Sequence, residues 1–171
     1  MIGSVRTTSE QPEVSFNIAS KTLYLCSVRA FVESMAQRVG FSHQQAGHIV
    51  LALDEALANV IRHGYRGKES ERIWVSVWLV SHDELGQGMK IVIEDDGEQI
   101  DPANVRGRDL EDVRPGGLGV HIMRQVMDDV LYEKRVGRGM RLSLTKLINS
   151  QAPVCKQNCD GEDCRRDNCN G

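Results

Sequence analysis

The chain has 171 residues, 40% of them apolar, 26% charged and only 5% aromatic, with a formal net charge of −3. That length and apolar content suit one domain with an aliphatic core, plus a tail. The slightly acidic balance excludes an overall basic surface of the kind that binds nucleic acid directly. No run approaches the roughly 18 apolar residues that would mark a membrane-spanning helix.

The first residues, MIGSVRTTSEQPEVSF, hold no apolar h-region, so no signal peptide is expected and a cytoplasmic location is the default. Residues 1–12 are polar and read as a flexible N-terminus. Residues 13–19 alternate, with Val14, Phe16 and Ile18 on one side, as in a half-buried strand. From 21 to 39, Leu23, Leu25, Val28, Phe31, Val32, Met35 and Val39 recur at helical spacing, and Gly40 ends the run. Ser42 is placed to cap a long second helix over residues 43–63, closed by Gly64.

Residues 73–80 (IWVSVWLV) and 89–94 are rich in β-branched and aromatic residues and read as a hairpin around the loop SHDELGQG. Residues 95–117 form a long, polar, Gly/Pro-rich connection, a length that usually serves a function. An amphipathic helix over 118–127 and strands over 130–134 and 140–147 complete the body. The order β-α-α-β-β-loop-α-β-β predicts an α+β fold. It is a two-layer sandwich, with a mixed, mostly antiparallel sheet and helices on one face. The domain occupies residues 13–148, and 149–171 form a cysteine-rich C-terminal tail.

Three segments carry chemistry. The first is LALDEALANVIRHGYRG, residues 51–67. At about 100° per residue, Asn59 falls about 40° from Glu55, Arg62 about 20° to its other side and His63 about 80° away. Ile49, Leu53, Leu57 and Val60 occupy the opposite side. A solvated helix face would explain the polar stripe, but Ala52, Ala56 and Ala58 beside it allow close approach. Asn59 is also a poor helix former in mid-helix, which points to a side-chain role.

The second segment, IVIEDDGEQIDP (91–102), ends a buried-looking strand in two aspartates and a glycine. An ordinary Asp-Gly turn is one reading. The other is a carboxylate placed to accept a hydrogen bond from an exocyclic amine, with Gly97 letting the backbone approach a flat ring. The third, RPGGLGVHIMRQVMD (114–128), sets Gly116, Gly117 and Gly119 at the start of a helix. There, exposed amides favour phosphate, although a flexible connector would have the same composition.

Together, E-x3-N-x3-H, then D-x-G, then G-G-x-G before a helix, resemble the N, G1 and G2 boxes of the GHKL ATPases, whose domain is the Bergerat fold. The wording EALANVIRHGY and GGLGVHIMRQVMDD is most similar to the anti-sigma-factor serine/threonine kinases of partner-switching systems. The resemblance runs from about residue 13 to 148. It implies ATP and Mg²⁺ as cofactors. Asn59 would hold the metal that bridges the phosphates, and Glu55 would be the general base. Asp95 would read adenine, with Gly97 beneath the base. Gly116, Gly117 and Gly119 would be the hinge of the phosphate lid, with Leu118 and Val120 binding the nucleotide beside them and Arg62 near the phosphates. Residues 98–117 would be the part that senses the γ-phosphate.

The implied partners are a sigma factor and a STAS-type anti-anti-sigma protein that receives the phosphate, with a homodimer expected by analogy and neither membrane nor nucleic acid involved. Two positions depart from the family pattern. Gln99 stands where the G1 box has its second glycine, and Met140 follows Gly139 where the family has Gly-Thr.

The tail contains Cys155, Cys159, Cys164 and Cys169 in a C-x3-C-x4-C-x4-C arrangement and has almost no other apolar residue. Such a cluster can wrap a metal such as Zn²⁺, stay as free thiols, or form redox disulfides. Two other functional readings follow: a nucleotide-dependent protein-binding module without turnover, and a metal- or redox-sensing adaptor acting through the tail.

Overall fold

The structure, a computed structural model, describes residues 5–102 and 118–148. The strands are β1 (Val5–Thr7), β2 (Val14–Ala19), β3 (Arg72–His82), β4 (Gly86–Asp95), β5 (Asp129–Lys134) and β6 (Met140–Leu147). The helices are α1 (Leu25–Val39), α2 (His43–Asn59) and α3 (Leu118–Val126). The sheet runs β1-β3-β4-β6-β5, with β2 also paired to β3, and every described pairing is antiparallel. β1 and β2 share one edge of β3: Val5 sits opposite His82, and Val14 opposite Val77. Val5–Thr7, expected within a flexible terminus, is therefore an edge strand. Three residues are too few to show a period-2 pattern, and pairing with β3 makes the strand.

The α+β sandwich is as expected. Val28, Val32 and Ala36 of α1, Ile49, Leu53 and Leu57 of α2 and Met123 of α3 form one core. They share it with Ile73, Val75, Val77, Ile91, Ile93, Leu142 and Leu144 of the sheet. Alternation along β3 puts Ile73, Val75 and Val77 inward and leaves Trp74, Ser76 and Trp78 on the half-exposed face.

α1 ends where Gly40 adopts φ of 110°, a left-handed conformation that suits glycine. Two residues on, Ser42 starts α2 through a capping box. Its Oγ accepts from the Gln45 N–H at 3.2 Å, and its own N–H donates to Gln45 Oε1 at 3.0 Å. The Gln45 amide also donates to the Ile148 carbonyl, which ties this helix start to the end of β6.

α2 ends sooner than expected. From Val60 to Gly64 the backbone winds more widely, and the Tyr65 N–H donates to the Val60 carbonyl, five residues back. Such wide turns recur at functional sites. Gly64 is not a left-handed cap; positive φ falls on Arg66 and Gly67. A Cβ at Gly64 would make only ordinary contact with Asp95 Oδ1, at 3.7 Å, and it is the Gly64 carbonyl that packs closely against Gly97.

A buried ion pair anchors the far end of α3. Lys146 Nζ lies 3.2 Å from Asp128 Oδ1, with the two side chains 1% and 6% exposed. Asp128 Oδ2 also accepts the Leu147 N–H at 2.7 Å.

Candidate nucleotide site

The wide turn, the end of β4 and the start of α3 meet around a cavity of about 220 Å³. Its walls are mainly apolar: Val60, Ile93, Ile100, Val120, Met140 and Leu142. Asn59, His63, Asp95, Glu98 and Tyr132 supply the polar groups, and Ala56 and Gly64 the low relief. Apolar walls with a few convergent polar groups are the usual form of a small-molecule site.

Asp95 is 4% exposed. Its Oδ1 accepts from the Gly97 N–H at 2.7 Å and the Met140 N–H at 3.4 Å. Burial raises its pKa above the ordinary carboxylate value. Those two backbone donors and the nearby Arg135 guanidinium oppose the rise, while the neighbouring Asp96 adds to it. No described hydrogen bond engages Oδ2, so the carboxylate keeps an acceptor for a donor inside the cavity. Tyr132, pushed up to about 12 by burial, stays a neutral phenol in the cavity lining.

Two glycines make the convergence possible. A Cβ on Gly97 would fall 2.6 Å from the Gly64 carbonyl oxygen and 2.9 Å from Asp95 Oδ1. A Cβ on Gly119 would fall 2.5 Å from Glu55 Oε2 and 3.5 Å from Asn59 Nδ2. At Gly97 the obstacle is backbone, so no side chain fits there, whereas at Gly119 it is the end of the Glu55 side chain, which can move.

Asn59, Asp95 and Val120 line the cavity, with Gly97 beneath the Asp95 carboxylate. Glu55 lies beside the start of α3, at the Gly119 contact. Arg62 is 61% exposed, 4.0 Å from Glu55 and hydrogen-bonded to the Ala58 carbonyl, outside the cavity lining. Leu118 is 60% exposed. Gly116, Gly117 and the four tail cysteines lie outside the described residues.

Several contributors went unnoticed in the sequence. Val60 falls there on the apolar side of the second helix, and Ile93 and Leu142 fall within strands. Tyr65 joins the wide turn to β3 and β4: its hydroxyl donates to the Arg72 carbonyl and accepts the Asp96 N–H at 2.8 Å. Arg135, on the turn after β5, reaches the Asp95 carbonyl at 2.7 Å. A lone arginine in a turn carries no local signal of such a contact.

Known proteins share the sequence pattern and the fold of this domain. The model of the histidine kinase-like ATPase domain matches residues 18–146, and the chain belongs to that family. The serine-protein kinase RsbW of Listeria monocytogenes serovar 1/2a is 30% identical over 145 residues, covering 81% of this chain and 89% of its own length. RsbW of Bacillus pumilus is 27% identical over 148 residues, covering 81% and 87%.

Two solved structures share the fold. One is the SiaB-SiaC complex from Pseudomonas aeruginosa, with a TM-score of 0.55, 16% identity and coverage of 81% of this chain and 92% of that one. The other holds the RsbU and RsbW domains of a Mycobacterium tuberculosis protein, with a TM-score of 0.54, 19% identity and coverage of 82% of this chain and 34% of that one.

Proposed function

We propose that this chain is an ATP-dependent serine/threonine protein kinase of a partner-switching system. It acts as an anti-sigma factor and phosphorylates a STAS-type anti-anti-sigma protein. One observation carries the reading: a buried aspartate with a spare acceptor and an asparagine line the same apolar cavity, and a glutamate closes against the glycine-led helix beside it. The relatedness to serine-protein kinases supports it.

ATP is the nucleotide the cavity suits. Asp95 accepts the adenine amine, and the apolar walls take the faces of the ring. Asn59 offers an amide oxygen to Mg²⁺, which neutralises triphosphate charge when bound. The rest is positioning. Gly119 keeps the start of α3 open to phosphate, and Glu55 takes the proton from the incoming hydroxyl once that oxygen comes within hydrogen-bond reach.

A sigma factor as the second partner, a homodimer and a cytoplasmic location belong to the same reading. No helix among the described residues is long and apolar enough to cross a membrane. Phosphate adds about −1.5 to −2 charge to the STAS partner, and repulsion from the kinase's own acidic groups and nucleotide would favour release. The tail cysteines are proposed to hold a metal ion, tested by metal analysis of anaerobically purified protein.

The experiment is incubation with Mg-ATP and a candidate STAS protein, followed by mass spectrometry. One added phosphate on a single hydroxyl residue is expected, and Glu55→Gln should slow its appearance by roughly 10²-fold. Transfer at the wild-type rate in that variant would remove Glu55 as the base. No modification of a STAS protein that binds the kinase would overturn the kinase reading.

A further inference from the structure

The segment that carries Asp95 is gripped by the turn between β5 and β6. Arg135 Nη1 donates to the Asp95 carbonyl at 2.7 Å and to Asp96 Oδ1 at 2.5 Å. Arg138 Nε donates to the Asp96 carbonyl at 2.5 Å. In the return direction, Gln99 Nε2 donates to the carbonyls of Arg135, at 2.7 Å, and Gly139, at 3.2 Å. The two backbones are so close that a Cβ on Gly139 would fall 1.7 Å from the Asp95 carbonyl oxygen. The Arg135 guanidinium is itself held over the Trp74 ring, 5.4 Å from its centroid, and 3.5 Å from Glu94 Oε1.

These bonds are not needed to close the hairpin. The β5–β6 ladder already does so, from Asp129 opposite Thr145 to Lys134 opposite Met140. Their shared target is the stretch from Asp95 to Gln99, whose first side chain faces the cavity.

We propose that Arg135 and Gln99 are positioning residues for base selection. By clamping the 95–99 segment to the β5–β6 turn, they hold the Asp95 carboxylate where it accepts an exocyclic N–H from adenine and repels the carbonyl that guanine has at that place. This rests on the nucleotide-binding reading above. A carboxylate discriminates a donor from an acceptor only while its distance and direction are held. Released from the clamp, it can turn toward water and lose that preference.

The test measures ATP, ADP and GTP affinities of the full chain by calorimetry, for wild type, Arg135→Ala, Arg135→Lys and Gln99→Ala, with melting temperatures alongside. Arg135→Ala and Gln99→Ala should each cut the ATP-to-GTP affinity ratio by about tenfold. ADP should weaken as much as ATP, because the clamp acts at the base end. Arg135→Lys should fall between, since an ammonium keeps the charge but cannot hold Asp95 and Asp96 with one nitrogen while a second, as Nε does, lies against Glu94. A purely structural role would weaken ATP and GTP alike, so an unchanged ratio overturns the proposal whatever the melting temperatures do. Should Arg135→Ala fail to fold, Arg135→Lys and Gln99→Ala decide by the same ratio. Wild-type protein that binds no nucleotide would overturn the reading of the cavity itself, a result that needs no variant.

Discussion

At the scale of single residues, Asp95 sets function against stability. Burial raises its pKa in the folded state, so the fold binds its proton more tightly than the unfolded chain does. The group's contribution to stability is therefore full at low pH. It is lost as pH rises from the ordinary carboxylate range through the raised value. At neutral pH the ionised side chain costs stability, which is the strain of keeping a buried acceptor ready for a ligand. Asp95→Asn retains an oxygen for the Gly97 and Met140 N–H groups but replaces the free acceptor with a donor. The nucleotide-free variant should melt higher than wild type near pH 7, with the gap closing toward acid, while ATP binding is lost. Melting curves at several pH values and calorimetry check both halves. In the wild type, ATP affinity should fall as pH drops through the raised pKa.

Gly119 makes a second residue-scale case. Alanine there would put a methyl group 2.5 Å from Glu55 Oε2, so the flexible carboxylate must move and the backbone need not. With Glu55 as base, Gly119→Ala should slow phosphoryl transfer by up to on the order of 10²-fold, the penalty for misplacing a reacting group by about an ångström. Its melting temperature should stay close to wild type. Transfer assays paired with melting curves separate that outcome from general damage.

At the scale of elements, the ends of the helices matter most. The capping box fixes where α2 begins and the wide turn after Asn59 fixes how it ends, so that His63 and Gly64 face the cavity. Just beyond the end of α3, Asp128 pairs with Lys146 of β6, which is buried to 1% exposure. Asp128→Ala would leave an ammonium buried without its carboxylate. Breaking such a pair costs about 3–5 kcal/mol, and denaturant unfolding should show a loss of that order. Much of the architecture was legible at this scale. The positions of α1, α2 and the long hairpin follow from apolar periodicity, Ser42 and Gly40. The wide turn was not legible, because residues 60–64 continue the apolar pattern of a regular helix. Only the Tyr65 hydroxyl, tied to Arg72 and Asp96, reveals what the changed winding serves.

At the scale of the whole molecule, every described feature of the candidate site lies upstream of residue 149. Removal of residues 150–171 should leave ATP affinity within about twofold of the full chain, a difference of under about 0.5 kcal/mol. Any bound metal should be lost with them. Calorimetry and elemental analysis on the two proteins give the answer.

The sequence by itself determined the fold class and the order of the elements from β2 onward, and it singled out three candidate site segments, because each is a local pattern: a period, a cap, or a glycine before a helix. Only the tertiary structure decided how they meet. Asn59 and Asp95 are 36 residues apart in the chain, and they line one cavity, where Gly97 lets its backbone close on the Gly64 carbonyl to a distance no side chain allows and Gly119 lets α3 close on Glu55. The roles of Arg135, Gln99 and Tyr65 were decided there too. Each acts through hydrogen bonds to carbonyls or amides distant in sequence, and such partners leave no trace in the residues around them.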